Sequence, residues 1–167
     1  MKHLAKLLVS TLAMTFSFLA PAGAGATDRV VVPLSARELT ELYGDKTWVW
    51  KAGGGRLSTK GMKFNAYTAE GGKPSIGIGR WTVDDNGKLC MFARWTTREG
   101  SARAATCFGH MRADKVIFQR RHPAGNWYIF RHAKIRPKDE IRKLSGADTV
   151  SAPASRFQQS LRLKPKG

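Results

Sequence analysis

Between Lys46 and His132, apolar and polar side chains alternate with period two, and turn residues interrupt them at regular intervals. That is the pattern of short half-buried strands. Lys46–Lys51 sets Trp48 and Trp50 on one face, and Met62–Thr68 sets Met62, Phe64 and Ala66 against Lys63 and Asn65. In Ser75–Val83, Gly77 and Gly79 share the face of Trp81, where glycines mark a bend or the close approach of another backbone. A short strand Arg56–Thr59, the pair Lys88–Thr96 and Arg103–His110, and a hairpin of Val116–Arg121 with Trp127–His132 complete the series. Asn86-Gly87 is expected to close the hairpin Trp81–Trp95 through positive φ angles. The glycine runs 53–55 and 71–72 are expected to turn the chain; neither leads into the Lys-Ser or Lys-Thr of a phosphate loop.

Helical signals flank the strands. Ser35-Ala36-Arg37-Glu38 reads as a capping box, with Leu34 and Leu39 as its hydrophobic staple, and predicts a helix over 35–43. Gly44 is expected to close that helix in a left-handed conformation. Pro137–Leu144 is expected to form one or two helical turns. About eight evenly spaced strands in meander order are too many for an open sheet with one solvated face. The expected fold is therefore mainly β: a small antiparallel up-and-down, lipocalin-like barrel or half-barrel, with a short N-terminal helix and a short C-terminal helical segment. Such a barrel is either filled by its side chains or holds one small ligand. Trp48, Trp50, Trp81, Trp95 and Phe64 are expected in its core, or around that ligand.

The first residues change the picture of where the fold begins. Lys2 and Lys6 precede the apolar run Leu7–Ala20, then Pro21 and AGAGA, which is the form of a secretory signal peptide cleaved after Ala24 or Ala26. The run is shorter than the ~20 residues of a spanning helix. The expected organisation is a signal peptide at 1–26, a single β-barrel domain at 27–150 and a basic mobile tail at 151–167, in the periplasm or secreted. No transmembrane segment is expected in the mature chain.

The chain carries 29 basic and 12 acidic residues. Such a field attracts polyanions and anionic surfaces. Cys90 and Cys107 are the two cysteines; in an oxidising compartment they are expected to bond across the pair Lys88–Thr96 and Arg103–His110. The same register sets Arg94 opposite Arg103.

Several stretches resemble a known family: ELYGDKTWVWK (Glu41 to Lys51), GKPSIGIGRWTV (Gly72 to Val83), GKLC (Gly87 to Cys90), TCFGH (Thr106 to His110), NWYIFRH (Asn126 to His132) and DEIRKL. They are similar, in order and spacing, to the domain of unknown function 995 family, small exported proteins of rhizobia and related alphaproteobacteria. The resemblance spans about residues 34 to 150. It implies an exported single domain and carries no catalytic residues.

For chemistry, the hairpin RRHPAGNWYIFRH is the most suggestive stretch. With its loop at Pro123 to Asn126, Arg121 would face Tyr128 and Arg131 would face Phe118, setting cations beside rings. Arg94, Arg103, Arg120, Arg121, Tyr128 and Arg131 are the candidate anion- or ligand-binding residues, because arginine forks suit phosphate, sulfate and carboxylate. No catalytic residue, cofactor or metal is assigned: the spacing of His110, His122 and His132 fits no zinc pattern. His110 with Asp114, and Ser101 or Thr106 as nucleophile, is the weaker hydrolase reading. The leading expectation is a non-enzymatic binding module for an anionic or amphipathic envelope component: acidic polysaccharide, anionic lipid or an acidic envelope protein. Docking onto an envelope protein is the alternative, and no base-reading motif speaks for nucleic acid.

Overall fold

The computed structural model describes residues 30–162; the expected signal peptide at 1–26 and residues 163–167 of the expected tail lie outside them. In chain order the elements are β1 (Val31–Pro33), α1 (Ala36–Tyr43), β2 (Lys46–Trp50), β3 (Gly53–Ser58), β4 (Lys63–Thr68) and β5 (Ser75–Val83). Then follow β6 (Lys88–Thr96), β7 (Ser101–Ala113), β8 (Val116–His122), β9 (Tyr128–Arg131), β10 (Leu144–Ser145) and α2 (Ser151–Arg162). The strands make one antiparallel sheet ordered β10-β2-β3-β4-β5-β6-β7-β8-β9, with β1 added to β7.

The sheet is a half-barrel. Its end strands β9 and β10 do not pair with each other; a 3₁₀ turn at Glu140–Lys143 lies against both β9 and β2. Strands β1 and β10, of three and two residues, are the ones the alternation missed, because so few residues set no period. The edges thus remain, but they are short.

The core lies inside the curl, where Leu57, Trp81, Leu89 and Phe130 are fully buried. Each such side chain stabilises the fold by about 1.5–3 kcal/mol through burial. Helix α1 seats Leu39 and Tyr43 in the same cluster, and its capping box is complete: Ser35 Oγ accepts from the Glu38 amide, and Glu38 Oε2 accepts from the Ser35 amide. The tight curl depends on glycine at two inward positions. A Cβ on Gly79 would stand 1.8 Å from the Phe92 carbonyl oxygen, and one on Gly77 would press on the Trp95 ring at 3.1 Å.

The Cys90–Cys107 disulfide forms between facing residues, with a Cα separation of 4.1 Å. Arg94 faces Arg103 as expected. Other expectations are corrected. Gly53–Gly55 belong to β3 rather than to a turn: a Cβ on Gly53 would lie 2.0 Å from the Tyr67 oxygen, so strand contact is what demands glycine there. Gly44 keeps φ −59°, and Asp45 takes the left-handed conformation, its carboxylate accepting from Thr59. At 84–87 positive φ falls on Gly87 and not Asn86, because Asp84 Oδ1 accepts from the Asn86 and Lys88 amides and closes a longer turn.

Two further departures bear on the site. The last hairpin pairs Gln119 with Tyr128, Phe118 with Ile129 and Ile117 with Arg131, shifted from the expected register by a longer loop and a bulge at Ile117/Phe118. Residues 151–162, expected as a mobile tail, form helix α2, which packs on the outside of β4 and β5 through buried Phe157. The Arg98 guanidinium sits 5.7 Å over the Phe157 ring.

Candidate functional site

The half-barrel encloses a cavity of about 600 Å³. Its walls are Trp48, Trp50, Phe64, Met91, Trp95 and Phe108, side chains that strand parity turns inward from β2, β4, β6 and β7. Trp48 and Phe108 meet at a ring-centroid distance of 4.8 Å. The room exists because the inward positions between the rings are small: Gly55, Ala66, Gly77 and Ala93. Trp50 and Tyr128 are partly exposed at the mouth.

The mouth is polar. Thr68, Glu70, Arg121, Tyr128, Glu140 and Lys143 border it. Lys143 Nζ is held 2.7 Å from Glu140 Oε1, whereas Arg121 makes no ion pair among the described residues. The 3₁₀ turn carrying Glu140 and Lys143 is anchored by Asp139, whose carboxylate accepts from the amides of His132 and Arg136 and from His132 Nδ1 at 2.6 Å.

Below the mouth a buried polar chain runs into the core. Tyr128 donates its hydroxyl proton to Gln119 Oε1. Gln119 Nε2 donates to the Tyr43 hydroxyl at 2.7 Å, and that hydroxyl lies 2.7 Å from His110 Nε2. At the far end His110 Nδ1 lies 3.1 Å from the Gly87 carbonyl oxygen. A carbonyl only accepts, so Nδ1 carries the proton and Nε2 is the acceptor. Burial pushes the imidazole down to about 4, against the Gly87 hydrogen bond, which favours the charged form. Burial raises the Tyr43 hydroxyl well above its usual range, and burial with the nearby Glu140 charge pushes Tyr128 up to about 12. The chain is uncharged at neutral pH and fixes the tyrosine at the cavity mouth.

His110 is oriented by Gly87 rather than Asp114. Ser101 lies nine residues from it along β7, roughly 30 Å at the rise of an extended strand. Thr106 lines the cavity. Among the described residues no group of His, Cys, Asp and Glu is placed to hold a metal, and no helix is long and apolar enough to cross a membrane.

The expected binding residues fall into four places. Arg121 and Tyr128 come together at the cavity mouth. Arg94 and Arg103 face each other on the outer surface of the sheet, Arg94 Nη1 donating to Ser101 Oγ at 3.1 Å. Arg120 lies over the Trp127 ring at 4.8 Å, also outside. Arg131 sits at the opposite end beside α1, where Nη2 donates to the Lys115 carbonyl. Sequence reading missed Met91 and Phe108 and named Thr106 only as a nucleophile in the hydrolase reading; inward parity with Trp95 and His110 would have found all three as cavity walls. Nothing local marks Glu140 and Lys143, which fold back onto the mouth from a separate turn.

The chain matches over residues 9–150 the family described as "Protein of unknown function (DUF995)". It belongs to that family. No curated protein and no solved structure matches it. The DUF995 match covers every strand of the half-barrel and ends before α2, so the cavity and its polar mouth lie within the family domain.

Proposed function

We propose that this DUF995 protein is an exported, non-enzymatic binding module whose half-barrel takes an amphipathic anion of the cell envelope. The observation that carries the reading is the aromatic cavity with Arg121, a cation that makes no ion pair among the described residues, at its mouth. Apolar walls require an apolar body, since burying polar groups there without partners costs free energy. Arg121 supplies a fork for one carboxylate or phosphate group, and Tyr128 lines the same mouth. Glu70 and Glu140 on the same rim oppose a polyanion. The preferred ligand therefore has one compact anionic head on an apolar body, and acidic polysaccharide is disfavoured here.

Calorimetric titration with dodecyl phosphate below its micellar range, compared with dodecanol and with alginate, tests this. Arg121→Gln should weaken dodecyl phosphate binding about tenfold to a hundredfold, the loss of one charge-assisted contact. Thr106→Phe, which fills the cavity, should abolish it. Equal affinity for dodecanol, or alginate binding that survives Thr106→Phe, would defeat the reading. Export is checked separately: the mature protein from the periplasm or medium should begin at Gly25 or Thr27, the residues after Ala24 and Ala26.

A further inference from the structure

The outer face of the sheet presents a second surface, separate from the cavity. Two rows of residues cross it from β4 to β7, facing one another in register. One row is Lys63, Arg80, Phe92 and Ala105; the next is Asn65, Ile78, Arg94 and Arg103. Their neighbours along each strand, such as Trp81, Met91 and Ala93, are buried inside, so period-two alternation sends both rows outward. Helix α2 covers the adjoining part of this face, around buried Ile76, and leaves these two rows bare.

The observations on this grid point the same way. It holds four cations and no acidic residue. Among the described residues none of its arginines or its lysine makes an ion pair. Arg94 stands directly opposite Arg103, an arrangement that destabilises a sheet unless an anion or solvent screens it. Between the cations lie two large apolar side chains, Ile78 at 51% and Phe92 at 47% exposure. The next row is covalently fixed by the Cys90–Cys107 disulfide between β6 and β7, so the grid is rigid rather than a mobile loop.

We infer that this face docks onto an anionic lipid bilayer, with Lys63, Arg80, Arg94 and Arg103 on lipid phosphates and Ile78 and Phe92 at the acyl boundary. Charge complementarity selects an anionic partner. The apolar pair selects the bilayer over a hydrated polysaccharide: a sugar face stacks on Phe92 but gains nothing from Ile78, whereas an interface buries both.

The experiment is co-sedimentation of the purified protein with phosphatidylcholine vesicles, with and without about 30% phosphatidylglycerol, at low salt, where an anionic surface attracts basic residues. Binding should require phosphatidylglycerol. Arg94→Ala with Arg103→Ala should weaken it roughly thirtyfold, following the contribution per basic residue near an anionic surface. Arg136→Ala with Arg142→Ala removes the same charge from exposed positions elsewhere and should change it by less than about threefold. Phe92→Ser should weaken binding with the charge intact. Equal losses from the two arginine pairs would mean a diffuse field and overturn the proposal, as would wild-type Phe92→Ser behaviour. Binding to alginate but not to vesicles, lost in the Arg94/Arg103 pair, would assign the face to polysaccharide and also overturn it. Arg121→Gln should sediment like wild type, so a failed cavity and a failed docking face give different results.

Discussion

His110 shows how one side chain ties the fold to pH. Its imidazole is depressed to about 4 by burial, while an unfolded histidine titrates near 6.5. Between those values the unfolded chain binds a proton that the folded chain refuses, so stability falls as pH drops from about 6.5 to about 4. The full span corresponds to about 3 kcal/mol. Urea unfolding at pH 7 and pH 4.5 should show this loss, and His110→Gln should flatten the difference while lowering stability at pH 7. A pH-independent wild type would contradict the burial of that ring. Arg121 and Tyr128 are the part of the site that single residues made legible. The expected register was wrong by two, yet a shift of two keeps every side chain on its face, so both still meet the cavity. Arg131 was not preserved in this way, because the bulge at Ile117/Phe118 shifts it by an odd step.

Among the elements, α2 is the one that local reading took for a tail. Its stretch is mostly polar, with two large apolar residues, Phe157 and Leu161, among Ser, Ala, Pro, Arg and Gln, and such a helix has no stability outside a tertiary contact. The contact exists because β4 and β5 leave an apolar strip outside, and Phe157 is 6% exposed against it. Phe157→Ala should cost about 3 kcal/mol or more, measured by thermal or chemical unfolding. An unchanged midpoint would restore the tail. The strands were legible for the opposite reason: β5 and β6 have nine residues each, long enough for period two to declare itself. The pairing of β6 with β7 was fixed by the Cys90–Cys107 match, which set their register residue for residue.

For the molecule as a whole, the two proposed surfaces differ in how they use charge. The chain carries a formal net charge of +17; the outer grid places several cations together without acids, whereas the cavity mouth mixes Arg121 and Lys143 with Glu70 and Glu140. Long-range attraction decays over about 30 Å at 0.01 M salt and about 3 Å at 1 M. Vesicle binding should therefore fall steeply with added salt, while dodecyl phosphate binding, made mostly by burial, should change little. Parallel titrations of both ligands across that range check the difference; parallel salt slopes would mean that a single electrostatic surface accounts for both.

Period-two alternation, the capping box and the placement of two cysteines determined from sequence alone that the chain is a curled antiparallel sheet with a helix at its entry and a staple between β6 and β7. Each of these is written in residues adjacent along the chain or across one turn. The cavity was decided only in three dimensions, because its volume depends on how far glycine and alanine let β3 to β6 approach and curl. Its polar rim was decided there too, since Glu140 and Lys143 reach Arg121 only after Asp139 has tied its turn to the end of β9.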